Sequence, residues 1–363
     1  MKKAYSTQYG SQIIGNSLDV LQSYPDESID LVITSPPFAL LRKKEYGNED
    51  QAEYIGWLSQ FAKLVYNKLK PTGSFVLDLG GAYKSGLPVR SLYNFRVPIE
   101  FCDNIGFYLA EDFYWYNPSK LPSPIEWVNK QKIRVKDAVN NVWWFSKTPY
   151  PKADVTQVLA PYSDRMKKLL DDPESYYTPK ERPSGHNIGV NFIDNGGAIP
   201  SNLLQIPNSE SNSSYQANCK KAGLSAHPAR FPSKLPEFFI KYLTEKGDFV
   251  VDIFSGSNTT GFIAESLKRK WNSIELDASY AANSSFRFLP KTLSEKDLLN
   301  VYFSILAGKE IPVMDFLMNG REVSELTKDF IHAEKLHFEL SGKLNKAERS
   351  KLQVIEKAAA VLF

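Results

Sequence analysis

The run Ile29-Asp30-Leu31-Val32-Ile33, followed at once by Thr34-Ser35-Pro36-Pro37-Phe38, constrains this chain more than any other segment. A short, mostly apolar run reads as a strand buried in a parallel sheet, and two prolines directly behind it end the strand in a rigid, extended turn. The polar groups of that turn then stand at a strand's carboxyl end, where open α/β sheets place their ligands. Ser35 offers a hydroxyl and Pro36 a backbone carbonyl, with no N–H on the proline peptide to compete for it. Such acceptors suit an amine whose lone pair is delocalised into a ring. Phe38 adds a flat face on which a base can stack, worth roughly 1–3 kcal/mol. Taken alone, the pentapeptide is also what a Pro-Pro turn closing a core strand looks like, so a second motif has to decide.

That motif is Val250-Val251-Asp252-Ile253-Phe254-Ser255-Gly256-Ser257-Asn258-Thr259-Thr260-Gly261, an apolar strand entering a glycine turn ahead of the apolar helical stretch 262–267. Gly256 and Gly261 have the outer spacing of a P-loop, but Phe262 and Ile263 stand where Lys and Ser or Thr would hold phosphate and magnesium. A dinucleotide fingerprint wants glycine at the middle position as well, and Asn258 occupies it. What remains is a cofactor with an adenosine and no phosphates. The next strand, Trp271 to Ile274, ends in Glu275, about twenty residues past the loop, where an acidic group reaches ribose hydroxyls in βαβ units. S-adenosylmethionine meets these demands, with its ribose on Glu275, its adenine between apolar side chains such as Phe254 and Ile274, and its amino acid end near Asp252. A plain strand-to-helix turn capped by Asp252 is the competing reading of the loop.

With both motifs in place the chain resembles the amino-methyltransferases of DNA, in which Ser-Pro-Pro-Tyr/Phe binds the target amine and a Phe-x-Gly-x-Gly-like loop binds S-adenosylmethionine. Ser35, Pro36, Pro37 and Phe38 match the first motif, and Asp252, Phe254, Gly256 and Thr259 belong to the second. The order of the motifs resembles the circularly permuted β class, as do Gly73 to Asp78 and His227 to Pro232. The resemblance implies an α/β, Rossmann-like methyltransferase fold with an inserted target-recognition region and direct methyl transfer to a flipped base. Asn258 stands where many relatives have glycine, and Asn16 where many have an aspartate that contacts the adenine amine. Serine at the head of the tetrapeptide resembles the cytosine-N4 enzymes, where adenine-N6 enzymes carry Asp or Asn. Stretches 117–127, 132–147 and 159–168 resemble a cytosine-N4 branch that modifies the inner cytosine of CAGCTG and protects DNA from a restriction endonuclease. Adenine-N6 methylation and a non-catalytic DNA-binding relative remain the alternatives.

Composition narrows the chemistry. Methylation at cytosine C5 needs a cysteine nucleophile, and neither Cys102 nor Cys219 sits in a Pro-Cys motif. Two cysteines fit a reducing compartment and are too few for a disulfide framework, and the four histidines show no metal-ligand spacing. No signal peptide and no membrane span is evident, which suggests a cytoplasmic protein. A net charge of +3 does not itself indicate nucleic acid, so local clusters carry the case for double-stranded DNA. These are Arg42, Lys43 and Lys44, then Lys130, Lys132, Arg134 and Lys136, whose alternation predicts one face of a strand, then Arg165. They can neutralise phosphates, or simply form a solvated face.

Four regions are expected. Residues 1–150 form the catalytic half, with strands at 31–33, 74–79 and 142–145 and a helix over 54–69. Residues 151–222 are rich in Pro, Ser, Asn and Gly and form the target-recognition region, anchored by Tyr162, Tyr176, Tyr177, Phe192, Leu203 and Leu204. Residues 223–289 form the cofactor half. Residues 290–363 read as helices of unassigned role, the first starting at Ser294-Glu295-Lys296-Asp297.

Overall fold

Six residues, Ile29–Thr34, are all buried and build strand β3, the axis of the molecule. The one charge inside it, Asp30, is held by Lys70 Nζ at 2.8 Å and by the backbone N–H of Phe249 at 2.9 Å, the pairing that a buried carboxylate requires. Around β3 the computed structural model, which describes residues 2–38, 53–173, 193–210, 213–319, 322–341 and 344–362, assembles one sheet. Its other strands are β1 (Lys2–Ser6), β2 (Gly10–Ile14), β4 (Leu69–Gly80), β5 (Tyr108–Tyr116), β6 (Val139–Ser146), β7 (Leu203–Gln205), β8 (Phe249–Asp252), β9 (Lys270–Glu275) and β10 (Ile311–Pro312).

The strand order is β10-β1-β2-β9-β8-β3-β4-β6-β5-β7. Strands β2, β9, β8, β3 and β4 run parallel, and β6 runs antiparallel to both β4 and β5. From β3 the chain continues to β4 on one side, whereas from β8 it continues to β9 on the other. Such a switch point opens a crevice beyond the carboxyl ends of the strands. The late-sequence strand β8 therefore sits directly beside the early strand β3, with β9 beyond it, as the permuted motif order predicts.

Side chains on β3 divide between two cores. Leu31 and Ile33 face one that includes Leu235, Phe239, Ile263 and Ala264, and Val32 faces another that includes Leu58, Phe61, Ala62 and Val65. The second group lies on the helix Tyr54–Lys68, and the first on helices Lys234–Leu243 and Thr259–Ser266. Helices thus cover both faces, as a parallel sheet demands.

Residues 290–362 do more than add helices. The helix Glu295–Leu306 starts at the expected place, with Ser294 and Asp297 forming a capping box, but β10 follows and pairs with β1 at the sheet edge. Ile305, Ile331, Phe338, Ile355 and Leu362 join the same core as Ile33. In the region expected to read DNA, β7 pairs with β5, Leu204 is buried, and Tyr162 Oη accepts the N–H of Asn195 at 2.9 Å. The expected anchors Tyr176, Tyr177 and Phe192, and the cations Arg42, Lys43 and Lys44, lie outside the described residues.

Candidate active site

At the switch point Thr34 Oγ1 donates to Asp252 Oδ1 at 2.6 Å, tying the ends of β3 and β8. Beyond it the chain turns through the buried Pro36 and half-buried Pro37. Ser35 Oγ donates to Asp78 Oδ2 on β4 at 3.0 Å, and the other oxygen of Asp78 accepts Asn140 Nδ2 at 3.0 Å. Burial pushes the Asp78 carboxyl up to about 6, against the pull of Asn140, Ser35 and the charge of Lys120. Phe38 lies against the backbone of Gly80, where a Cβ would meet the ring Cε2 at 2.5 Å. The Gly80 carbonyl accepts the hydroxyl of Tyr93. Serine, carboxylate, amide and aromatic ring thus converge at the ends of β3 and β4.

The glycine loop occupies the neighbouring strand ends. Gly256 has φ of +49° and its N–H donates to Glu275 Oε2 at 2.8 Å. A side chain there would press on the His227 imidazole, with contacts from 3.1 Å. Glu275 is half-buried and its carboxyl is raised to about 7 by burial. Phe254 packs its ring against Trp57 and Phe61, with centroids 5.5 and 4.9 Å away. Asn16 is exposed and caps the helix Ser17–Gln22, its Oδ1 accepting Leu18 N–H at 3.0 Å.

Three residues expected to touch the cofactor hold the loop from within, and a fourth, Ile274, is buried. Asp252 is buried and accepts from Thr34, from Thr260 Oγ1 at 2.6 Å and from Phe254 N–H at 3.1 Å, and burial raises its pKa. Asn258 has left-handed backbone, which asparagine tolerates. Its Oδ1 accepts from Gly261 N–H and Ser273 Oγ while its Nδ2 donates to Tyr5 Oη, all between 2.7 and 2.9 Å. Thr259 is buried and accepts from Arg287 Nη2 at 2.8 Å. Ile274 has no exposure, whereas Leu276, just past Glu275, is 73% exposed. The free apolar surface next to the carboxylate is therefore Leu276.

The basic residues also differ from expectation. Residues 131–138 are loop, and Lys130 closes a short π-helix, Glu126–Lys130, so the four cations share no strand face. Lys130 pairs with Glu126 at 2.9 Å. Arg134 Nε donates to the Pro88 carbonyl at 3.0 Å and Lys136 Nζ to that of Pro118 at 3.1 Å. Arg134 and Lys136 therefore brace the loop, while Lys132 is exposed. Arg165 is exposed on a separate helix, Asp164–Asp171.

Sequence reading assigned no role to Asp78, Asn140, Gly80 or Leu276. A signal existed for the first: one carboxylate inside the apolar strand 74–79 is costly to bury without partners. Gly80 and Asn140 owe their positions to pairing across strands, and Leu276 to the end of β9, and none left a local mark.

The sequence matches the DNA methylase family over residues 29–285, and the chain belongs to that family. It is 66% identical over 311 residues to the type II methyltransferase M.PvuII of Proteus hauseri, covering 85% of this chain and 93% of that one. It is 26% identical over 268 residues to M.ScaI of Streptomyces caespitosus, covering 73% and 77%. Its structure superposes on that of PvuII DNA methyltransferase (cytosine-N4-specific) with a TM-score of 0.72 at 57% identity, covering 86% of this chain and 98% of the other. The α/β methyltransferase fold expected from the two motifs is the one observed.

Proposed function

We propose that this chain transfers a methyl group from S-adenosylmethionine to the N4 amine of a cytosine flipped out of double-stranded DNA, the inner cytosine of CAGCTG. The observation that carries the reading is the Ser35–Asp78 hydrogen bond. A serine that spends its proton on a buried carboxylate presents its remaining lone pairs as acceptors, as an amine N–H requires. The identity to a cytosine-N4-specific enzyme supports cytosine as the base.

The residues present fit the cofactor. Glu275 offers a half-buried carboxylate to ribose hydroxyls, Leu276 and Phe254 offer apolar surface to adenine, and Arg287, the cation that reaches the loop, is buried with its donors on Ser257 and Thr259. That guanidinium is thereby not offered to a phosphate. When bound, S-adenosylmethionine supplies an electrophilic methyl on a sulfonium. Phe38 stacks on the flipped base, and Ser35 with the Pro36 carbonyl orients the amine for in-line attack. Positioning of this kind can lower the barrier by about 7–11 kcal/mol. The proton the amine sheds has a path through Ser35 Oγ to Asp78, whose raised pKa suits it to receive one.

We read 151–222 as the target-recognition region, and the role as protection of bacterial DNA from an endonuclease of the same specificity. No helix among the described residues is long and apolar enough to cross a membrane, in keeping with work on DNA in the cytoplasm. The test is protection: a plasmid with one CAGCTG site, treated with protein and S-adenosylmethionine, should resist an endonuclease that cuts CAGCTG. Full cleavage of a plasmid that has gained methyl groups elsewhere would overturn the site.

A further inference from the structure

We propose that an apolar pair on the two arms of the β5–β6 loop, Leu121 with Val135, is a wedge that enters the base stack as the target cytosine leaves it. This rests on the methyltransferase reading above. Strand β6 runs antiparallel to β4 and to β5, so β5 runs with β4 and the connection from Tyr116 to Val139 rises at the end of the sheet that carries Ser35 and Asp78. Lys120, next to Leu121 in the chain, acts electrostatically on Asp78.

This pair is apolar where loops are ordinarily polar. Leu121 is 80% exposed and Val135 87%, and Ile125 and Ile133 nearby are also exposed. The two segments lie side by side: Asp137 N–H donates to the Ser123 carbonyl at 2.9 Å, and Lys136 Nζ bridges the carbonyls of Pro118 and Lys120 at 3.1 and 3.3 Å. A second loop braces the first. Arg90 makes two hydrogen bonds to Asp137 at 2.7 and 2.8 Å, and Arg134 reaches the Pro88 carbonyl. Lys132, three residues before Val135, is exposed, whereas Lys130 pairs with Glu126. An apolar pair on a braced loop beside an exposed lysine matches duplex DNA: Lys132 meets a phosphate, and the aliphatic groups fill the space left in the stack. An enzyme that flips a base must offset unpairing and unstacking, a cost of a few kcal/mol that is smallest for a mismatched base.

The test compares Leu121→Ser/Val135→Ser with the unaltered protein on two duplexes, one with guanine opposite the target cytosine and one with adenine there. Both side chains are exposed, so the thermal midpoint should not move. The proposal predicts a loss in kcat/KM of about tenfold or more on the paired duplex and recovery to within about twofold on the mismatched one. Equal losses on both duplexes, as a phosphate or protein contact would give, or no loss on either, would overturn it. Should the unaltered protein methylate neither duplex, the methyltransferase reading itself fails, an outcome visible before any variant is compared.

Discussion

At the residue scale, Ser35 and Asp78 act as a unit. Ser35→Ala should lower kcat by on the order of a hundredfold, the contribution typical of a positioned acid–base group, with S-adenosylmethionine affinity unchanged; single-turnover kinetics beside cofactor titration checks this. Asp78 gives the unit a pH dependence. Its carboxyl must be ionised to accept from Ser35 and Asn140, so kcat/KM for DNA should fall as pH drops through about 6, and Asp78→Asn should flatten that limb. Stability runs the other way. The folded pKa lies above the ordinary 3.8, so the native state holds more protons between that value and about 6. This group's contribution is therefore most favourable at low pH and declines as pH rises through the window, which denaturant titrations of wild type and Asp78→Asn at pH 4 and pH 7 would resolve. Gly80 supplies a steric test: a Cβ placed 2.5 Å from the Phe38 ring should displace it, so Gly80→Ala should lose turnover on DNA while binding cofactor normally.

At the scale of elements, the glycine loop is shaped from beneath. Asn258→Ala removes a buried amide that serves Gly261, Ser273 and Tyr5, and the unpaired groups left behind should cost about 1–3 kcal/mol of stability. Thermal unfolding would show it, and cofactor affinity should fall as well because Gly256 leads into the same turn. Both motifs were legible in the sequence because each is a contiguous run with a local conformational reason: prolines after a strand, glycine at positive φ, an acid at the next strand's end. Which side chains face outward was not legible. Asp252, Asn258 and Thr259 read as cofactor ligands because they are polar, yet each is satisfied by a partner distant in sequence, on β3, on β1 or at Arg287. The alternation of Lys130, Lys132, Arg134 and Lys136 read as a strand, but bonds from Arg134 to Pro88 on a neighbouring loop and from Lys136 to Pro118 across its own loop hold this segment as a loop.

At the scale of the molecule, the central parallel strands were legible as apolar runs, and the permuted motif order was enough to place β8 beside β3. The edges were less so. Strand β10 is two residues long, and β5 is half exposed along much of its length, so neither carries a strong pattern. The C-terminal helices contribute Leu298, Phe303, Ile331, Phe338 and Leu362 to the main core. Removing residues 295–363 should therefore give insoluble or partly folded protein rather than a soluble enzyme of altered specificity, as the soluble fraction and the thermal transition would report. What defines this enzyme is the base it modifies. Unmethylated DNA incubated with the protein and S-adenosylmethionine, digested to nucleosides and analysed by mass spectrometry, should yield N4-methylcytosine and no other new nucleoside. N6-methyladenine in its place would contradict the assignment of the Ser35 pocket to cytosine.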